Sequence, residues 1–235
     1  MKKILLGLAL LLNIANAQEI YATFNVEALR DANLAFISSG IVKKVSVDVG
    51  SYVKKGEVLA QLQNSDIKAM LDIAQTKLKY AKKDYDRQLK IKDLIDEAKF
   101  DLVSSRYENA KNQLAYQQAL YNKTFLRAPF NGVIYEKEIE EGDAVSGLML
   151  KTVFKIQSKS KRKLILSFDQ KSHKLIKVGD IFSYKVDGDT STYQSKITKI
   201  YPHINTKNRK MSAETRANGF LTGLFGDGYI KVSDK

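Results

Sequence analysis

The apolar residues between positions 64 and 124 recur at alternating intervals of four and three, the spacing of helices that pack along one narrow stripe. The first series consists of Ile67, Leu71, Ala74, Leu78, Ala81 and Tyr85. The second consists of Phe100, Val103, Tyr107, Ala110, Leu114 and Tyr121, and is broken only where Gln117 takes the position between the last two. Neither stretch contains glycine or proline. The pattern therefore predicts two long helices that form an antiparallel coiled-coil hairpin, with a turn around residues 92–95.

Polar residues mark where each predicted helix begins. Ser65 or Asp66 is suited to cap the first helix, and Asp96, which is followed by Glu97, is suited to cap the second. A side-chain oxygen at such a position accepts a hydrogen bond from a backbone N–H that has no partner within the helix. At 1.5 Å per residue, helices of about 27 residues would form a rod of roughly 40 Å.

On both sides of the predicted hairpin, apolar and polar residues alternate with the period of two that a half-buried strand requires. Residues 40–62 form the first such stretch, and its alternating residues are Val45, Val47 and Val49. Residues 126–145 form the second, in which Asn131-Gly132 is suited to a tight turn. We interpret the two stretches as halves of one small β-domain that the hairpin interrupts.

Three short motifs in these stretches resemble a known family. They are residues 39–42 (SGIV), residues 54–59 (KKGEVL) and residues 127–134 (RAPFNGVI). In this order and spacing they are similar to the split lipoyl (biotinyl-lipoyl-like) domain of the periplasmic adaptor proteins, also called membrane fusion proteins of the HlyD family. The resemblance implies an elongated α+β fold, with the coiled-coil hairpin inserted in the split lipoyl domain and a small β-barrel after it.

Short alternating strands separated by turn residues follow the second half, at residues 164–168, 182–186 and 193–200. This pattern predicts a small barrel or sandwich. The resemblance implies a barrel that also takes a strand from residues 20–28. The expected organisation is a signal peptide at 1–17, the first barrel strand or strands at 18–34, lipoyl halves at 35–63 and 125–157, the hairpin at 64–124 and the barrel at 158–235, without a membrane-proximal domain.

The first seventeen residues have the pattern of an export signal. Lys2 and Lys3 precede an apolar run at residues 4–12, which is shorter than the roughly 20 residues that span a bilayer. Ala15-Asn16-Ala17 then forms an A-x-A cleavage site. We predict cleavage before Gln18 and a periplasmic protein that is associated with the inner membrane through its transporter, with an uncleaved anchor as the alternative.

The composition excludes several kinds of chemistry. The chain has no cysteine, so it forms no disulfides and no thiolate sites. Its formal charge of +13 suits an anionic membrane surface or acidic protein partners. An export signal, together with the lack of a recognised motif, argues against nucleic acid. We expect no enzyme and no cofactor, because the sequence shows neither a catalytic arrangement nor a phosphate-binding loop.

In the resembled family, the hairpin tip docks onto a TolC-type outer-membrane channel through an arginine, a leucine four residues later and a serine seven residues after that. An ungapped alignment puts Tyr85 on the arginine, Leu89 on the leucine and Asp96 on the serine. A tip about two residues shorter would use Arg87 instead, with Ile91 or Leu94. The docking residues that we carry over from the resemblance are Arg87, Leu89, Leu94 and Asp96.

The resemblance also implies a function for the whole chain. Adaptors of this kind link an inner-membrane transporter to an outer-membrane channel in a tripartite efflux system. They assemble into a homo-oligomeric ring, expected here to be a hexamer. We favour a transporter of the resistance-nodulation-division (RND) type over an ABC exporter, although the three-module plan occurs with both.

Two other functions match parts of the sequence less well. A lipoyl or biotinyl carrier domain needs a lysine at a hairpin turn, where this chain has residues 63–66 (QNSD) and then Lys68 within the predicted helix. A metal-handling adaptor of a heavy-metal pump needs clustered ligands, whereas His173 and His203 lie thirty residues apart. The basic residues 207–210 (KNRK) form either a solvated loop or a contact for a pump or for lipid headgroups.

Overall fold

A computed structural model of the chain describes residues 18–232. These residues divide into two compact units, one made of the described residues up to Leu29 and from Ser160 onward, and the other of Arg30–Lys159. The predicted signal peptide at residues 1–17 lies outside the described residues. Within the part of the chain that is described, no helix combines the length and the apolar content that crossing a membrane requires.

The secondary structure of residues 18–232 consists of fourteen strands and two long helices, with two short 3-10 turns. The strands before the helices are β1 (Glu19–Ala28), β2 (Asp31–Leu34), β3 (Gly40–Val45), β4 (Tyr52–Val53) and β5 (Val58–Leu62). The helices are α1 (Ser65–Leu89) and α2 (Glu97–Asn122), and the 3-10 turns lie at Lys92–Leu94 and Gln170–Ser172. The later strands are β6 (Phe125–Arg127), β7 (Gly132–Lys137), β8 (Ala144–Val145), β9 (Phe154–Gln157), β10 (Lys161–Asp169), β11 (Ile181–Val186), β12 (Tyr193–Asn205), β13 (Lys210–Asn218) and β14 (Phe225–Lys231).

Six strands form a closed antiparallel barrel in the order β1-β10-β13-β12-β11-β14. Alternate residues of β1 are buried, because successive side chains of a strand point to opposite faces. Inside the barrel, the ring of Phe24 meets the rings of Phe182 and Tyr184 edge to face, at centroid distances of 5.7 and 5.2 Å. Full burial of a side chain of this size contributes about 1.5–3 kcal/mol.

The last barrel strand, β14, approaches its neighbours too closely for side chains at two positions. A Cβ on Gly226 would lie 2.1 Å from the backbone oxygen of Lys185 and 2.8 Å from the ring of Phe24. A Cβ on Gly228 would lie 2.2 Å from the backbone oxygen of Ser183. These two positions of β14 therefore require glycine, because the backbone of β14 lies directly against the backbone of β11 there.

The unit of residues 30–159 contains two four-stranded sheets, ordered β2-β9-β7-β4 and β6-β5-β3-β8. Strands from before and after the helices pair within both sheets, as β4 does with β7 and β5 with β6. The sheets share one hydrophobic core. Its largest fully buried side chains are Leu59, Leu62, Ile134, Phe154 and Ile156. The two stretches of alternating sequence therefore fold into one body.

The two helices run between the paired strands β5 and β6 and pack against each other. Their least exposed residues fall on the stripe that the sequence pattern predicts. Fully buried are Leu71 and Ala74 of α1 and Phe100, Val103 and Ala110 of α2, and the other stripe residues are half-buried. The opposite faces of both helices are exposed, so the helices hold together along this single stripe.

The structure confirms one predicted helix cap and corrects the other. Asp96 caps α2, and its carboxylate accepts a hydrogen bond from the N–H of Lys99 at 3.2 Å. The prediction that Ser65 or Asp66 caps α1 is wrong, because the residue before the helix is Asn64. Asn64 makes no side-chain cap bond, since its side-chain amide donates to a residue beyond the other helix.

Two strand predictions are also wrong. The sequence analysis assigns residues 31–34 to the barrel, but they form β2 and pair with β9 in the other unit. The N–H of Ser158 also donates to the carbonyl of Arg30 at 2.9 Å, which extends the β2–β9 pairing by one residue on each strand. Val49 does not belong to a strand, since β3 ends at Val45 and a turn around Gly50 (φ 87°) leaves Val49 58 % exposed. The sequence pattern also did not indicate β13.

Candidate functional site

The far end of the helical hairpin consists of a helix end, a 3-10 turn and a helix cap. α1 ends at Leu89. The N–H groups of Ile91 and Leu94 then donate to the carbonyls of Gln88 and Ile91, at 3.1 and 2.9 Å. Asp96 starts α2 two residues later. Backbone hydrogen bonds therefore define the shape of this tip without a contribution from its apolar side chains.

Three apolar side chains at the tip face solvent. Leu94 is 85 % exposed, Leu89 is 47 % exposed and Ile91 is 43 % exposed. The 3-10 turn that contains Leu94 has no buried residue. Adjacent exposed apolar side chains are typical of a surface that a partner covers.

Arg87 lies in the last turn of α1, beside the apolar tip. Its guanidinium is 2.8 Å from the carboxylate of Asp84, and 75 % of its side chain is exposed. An exposed pair of this kind contributes about 0–1 kcal/mol, so it holds the side chain only weakly. Arg87 can therefore exchange Asp84 for an acidic group of a partner at little cost.

Tyr85, which the ungapped alignment puts in place of the docking arginine, lies between the helices. Its ring stacks on Tyr107 at 5.1 Å and packs against Phe100 at 5.7 Å. The side chain is half-buried, whereas Arg87 is exposed. Tyr85 therefore stabilises the hairpin from within.

A basic groove of about 1200 Å³ follows the flank of the two helices. Its charged residues are the cations Lys77, Lys83, Arg87 and Arg106 and the single acid Asp84. The sequence analysis missed this groove. The sequence feature that indicates this groove is the spacing of Lys83 and Arg87. They are four residues apart and lie outside the apolar stripe, so both fall on one exposed helix face.

Residues that would serve a carrier or a metal site lie apart from each other. Lys68 is inside α1, where it pairs with Asp72, so it does not project from a turn. His173 and His203 are both exposed, and His173 bonds the carbonyl of Gln170 through Nδ1 at 3.0 Å. Among residues 18–232, no three side chains of the metal-binding types converge.

Residues 32–157 match the family described as CzcB-like, barrel-sandwich hybrid domain. The chain is 34 % identical over 125 residues to the cobalt-zinc-cadmium resistance protein CzcB of Cupriavidus metallidurans. That alignment covers 46 % of this chain and 24 % of CzcB, so the chain spans about a quarter of the relative's length. Residues 32–157, which match the family, contain the helical hairpin and its tip.

Two solved structures have a similar fold. A MacA-MexA chimeric protein with the α-hairpin domain of Pseudomonas aeruginosa MexA has a TM-score of 0.82 at 20 % identity, over 93 % of this chain and 82 % of the other. The membrane fusion protein Spr0693 of Streptococcus pneumoniae R6 has a TM-score of 0.73 at 15 % identity, over 92 % and 100 %. At these identities the likeness concerns the fold.

Proposed function

The chain belongs to the CzcB-like barrel-sandwich hybrid domain family, and from this premise we propose that it is the periplasmic adaptor subunit of a tripartite efflux system. In that role it links an inner-membrane transporter to a TolC-type outer-membrane channel and catalyses no reaction. The resemblance to the membrane fusion proteins that the sequence motifs indicate is confirmed by the family match and the fold. The adaptor role and both partners are our proposal.

The exposed apolar tip of the hairpin is the observation that carries the proposal. Leu94, at 85 %, is the most exposed large apolar residue of the hairpin, and Leu89 and Ile91 beside it in the chain are also exposed. We propose that the tip enters the channel end, where Leu94 and Leu89 contact apolar surface and Arg87 pairs with an acid. Asp96 fixes the start of α2 and so positions Leu94. Arg87 is favoured over Tyr85 because the ring of Tyr85 is packed between the helices.

The finer parts of the proposal follow the family resemblance. The hairpin acts as a coiled-coil spacer inserted in a split lipoyl domain. Several copies form a ring, expected to be hexameric, and an RND transporter is favoured over an ABC exporter. The exported chain starts at Gln18 and is held in the periplasm near the inner membrane through its transporter.

Crosslinking in cells tests the adaptor role. An affinity-tagged chain is crosslinked in its native host, purified under denaturing conditions, and its partners are identified by mass spectrometry. We expect one inner-membrane transporter and one outer-membrane channel protein, with the channel crosslinked from the hairpin tip. Recovery of neither partner would exclude the proposal, and the class of transporter recovered distinguishes RND from ABC.

A second candidate concerns the cargo. The similarity to a protein named for cobalt, zinc and cadmium resistance favours divalent cations as the substrate of the system. A deletion strain should then be sensitive to Co²⁺, Zn²⁺ or Cd²⁺ and regain resistance with the chain supplied in trans. Sensitivity only to organic antimicrobials would contradict it. A metal-handling adaptor would in addition bind Zn²⁺ itself, which equilibrium dialysis of the purified chain measures against a His173→Ala, His203→Ala variant.

A further inference from the structure

The barrel carries a β-hairpin whose end is exposed over ten consecutive residues, 201–210. β12 pairs with β11 only from Tyr193 to Lys196, and from Ile197 on its registered partner is β13. The end of the hairpin is closed by the N–H of Arg209, which donates to the carbonyl of Asn205 at 2.8 Å. We call residues 201–210 the barrel hairpin tip.

Two asparagines order the turn of the barrel hairpin tip. The side-chain oxygen of Asn205 accepts a hydrogen bond from the N–H of Lys207 at 3.0 Å, and that of Asn208 accepts one from the N–H of Lys210 at 3.1 Å. Such side-chain bonds hold a turn in one conformation. The turn is therefore ordered by its own residues, and it presents charged side chains on a fixed backbone.

Arg209 has a left-handed backbone conformation, with φ 57°. It is the one non-glycine residue with positive φ among residues 18–232. Glycine adopts this conformation more readily, because in other residues the Cβ atom crowds the following carbonyl oxygen. The turn thus carries a cation at a position where glycine would fit with less strain.

The cations around the barrel hairpin tip form fewer ion pairs with acids than other cations of the barrel do. The carbonyl of Arg209 accepts from the N–H of Gln170 at 3.2 Å, which brings the 3-10 turn with Lys171 beside the hairpin. No described acid forms an ion pair with Lys171, Lys207, Arg209 or Lys210. By contrast, Lys163 and Lys199 pair with acids at 2.9 and 3.6 Å.

Two acids lie near one side of the tip. Asp169 is opposite Lys210 in the β10–β13 register, and its carboxylate accepts the N–H of Lys171 at 2.8 Å. Glu19 lines a shallow groove together with Asp169 and Lys210, and it also lies 3.8 Å from the ammonium of Lys231. The charge balance at the tip remains positive, with four cations against these two acids.

Apolar groups accompany the cations. Tyr201 is 38 % exposed and Ile204 is 37 % exposed, both on the same strand end. Tyrosine is enriched where proteins meet the headgroup layer, because its ring is apolar and its hydroxyl is polar. A surface with both cations and partly exposed apolar side chains binds an anionic bilayer through charge and through burial of those side chains.

We propose that the barrel hairpin tip binds the headgroups of an anionic phospholipid bilayer. Lys207, Arg209 and Lys210 pair with phosphates, and Tyr201 and Ile204 enter the interface. A bilayer suits a narrow turn better than a folded acidic protein does, because a typical protein interface buries about 800 Å² on each partner. This inference adds a membrane contact to the proposed adaptor. Binding to a bilayer requires neither the transporter nor the channel, so vesicle binding can fail while crosslinking to the partners succeeds, and the reverse.

Vesicle binding tests the charge. The exported protein, purified as the cell processes it, is titrated with vesicles of phosphatidylethanolamine and phosphatidylglycerol. The variant Lys207→Gln, Arg209→Gly, Lys210→Gln should bind about fivefold more weakly for each cation lost, which is on the order of 100-fold in total. The control Lys43→Gln, Lys44→Gln, Lys55→Gln removes the same charge from exposed positions of the other unit and should bind nearly as wild type. Equal losses for both variants, or no loss, would overturn the proposal.

A fluorescent reporter tests insertion. The chain contains no tryptophan, so Ile204→Trp introduces a single one at the tip. Its emission should shift to the blue with anionic vesicles, and should not shift with phosphatidylcholine vesicles or with inorganic phosphate. The control Leu221→Trp places the reporter at another exposed site of the barrel, where no shift is expected. A shift only with inorganic phosphate, an equal shift with phosphatidylcholine, or no shift at the tip would contradict the proposal.

Discussion

The side-chain amide of Asn64 donates a hydrogen bond of 2.8 Å to the hydroxyl of Thr124, which joins the chain before α1 to the chain after α2. The hydroxyl of Thr124 in turn donates to the carbonyl of Tyr121 at 2.7 Å. Both residues are buried, with 6 % and 1 % exposure. This pair fastens the base of the helical hairpin, so it defines how the hairpin leaves the β-domain.

Thr124→Val should lower the free energy of unfolding by about 1–3 kcal/mol, because it leaves the buried amide of Asn64 without that acceptor. Urea unfolding, followed by circular dichroism of the helices, measures the loss. Thr192→Val is the control at an exposed site and should change stability by less than about 0.5 kcal/mol. Equal stability of both variants would show that the bond does not fasten the hairpin.

Arg87→Glu should reduce crosslinking to the proposed outer-membrane channel about tenfold or more, because it would remove the proposed charge-assisted contact and introduce repulsion. Its helical circular dichroism should stay unchanged, since the side chain is 75 % exposed. Lys111→Glu is a matched control, because Lys111 makes a similar i, i+3 pair with Glu108 away from the tip. Normal channel crosslinking by Arg87→Glu would exclude Arg87 as a docking residue.

Leu94→Asp should also prevent docking without unfolding the protein. Leu94 is 85 % exposed, so the change opens no cavity, while the new carboxylate is poorly tolerated in an apolar contact. Met70→Asp makes the same kind of change at a residue that is 58 % exposed near the start of α1. Resistance assays and crosslinking compare the two variants. If both retain full resistance, the apolar tip is not a docking surface.

Leu78→Asp should instead unfold the hairpin. Leu78 is half-buried on the stripe between the helices, where an added charge would lose part of its hydration, and we expect a loss of more than about 2 kcal/mol in the free energy of unfolding. Ile73→Asp, at a residue of α1 that is 61 % exposed, should leave helicity unchanged. Circular dichroism separates the two outcomes, and full helicity of Leu78→Asp would contradict packing along this stripe.

Tyr135→Phe should change how stability depends on alkaline pH. Burial, together with a hydrogen bond from its hydroxyl to Asp31, raises the pKa of Tyr135 from 10.0 to about 12. The folded protein then holds this proton more tightly than the unfolded chain does. That stabilisation is complete below about pH 10 and is lost as the pH rises towards about 12.

Thermal unfolding across this range measures the effect. Wild type should be more stable than Tyr135→Phe at neutral pH, and the difference should shrink above about pH 10. Tyr116→Phe, at a residue that is 59 % exposed, serves as the control and should follow wild type at every pH. A constant difference between wild type and Tyr135→Phe would contradict the raised pKa.

The periodic parts of the sequence predicted most of the architecture. The stripe through Leu71 and Phe100 located both helices, because burial along one face imposes a fixed spacing. The cap at Asp96 was also predictable, since its carboxylate bonds a backbone group only three residues away. In the barrel, the alternation in β10 identified a strand that faces the core on one side only, whereas β1 was expected from the family resemblance.

The remaining features depend on contacts between residues far apart in the sequence. β13 escaped prediction because its central residues Glu214 and Thr215 are buried polar groups that break the alternation. Glu214 is tolerated there because Arg216 and Lys199 approach its carboxylate at 3.4 and 3.6 Å. The role of Asn64 depends likewise on a partner sixty residues away.

The pairing of β1 with β10 and β14 has a consequence for the order in which the protein folds. β1 is made before residues 30–159, and both of its partners are made after them. The middle unit is continuous in the chain, so its contacts can form independently of the barrel, whereas β1 leaves Ile20, Ala22 and Phe24 uncovered until its partners pair with it. Until β14 pairs with β1, the folding chain displays an apolar strand, and barrel closure is a late event.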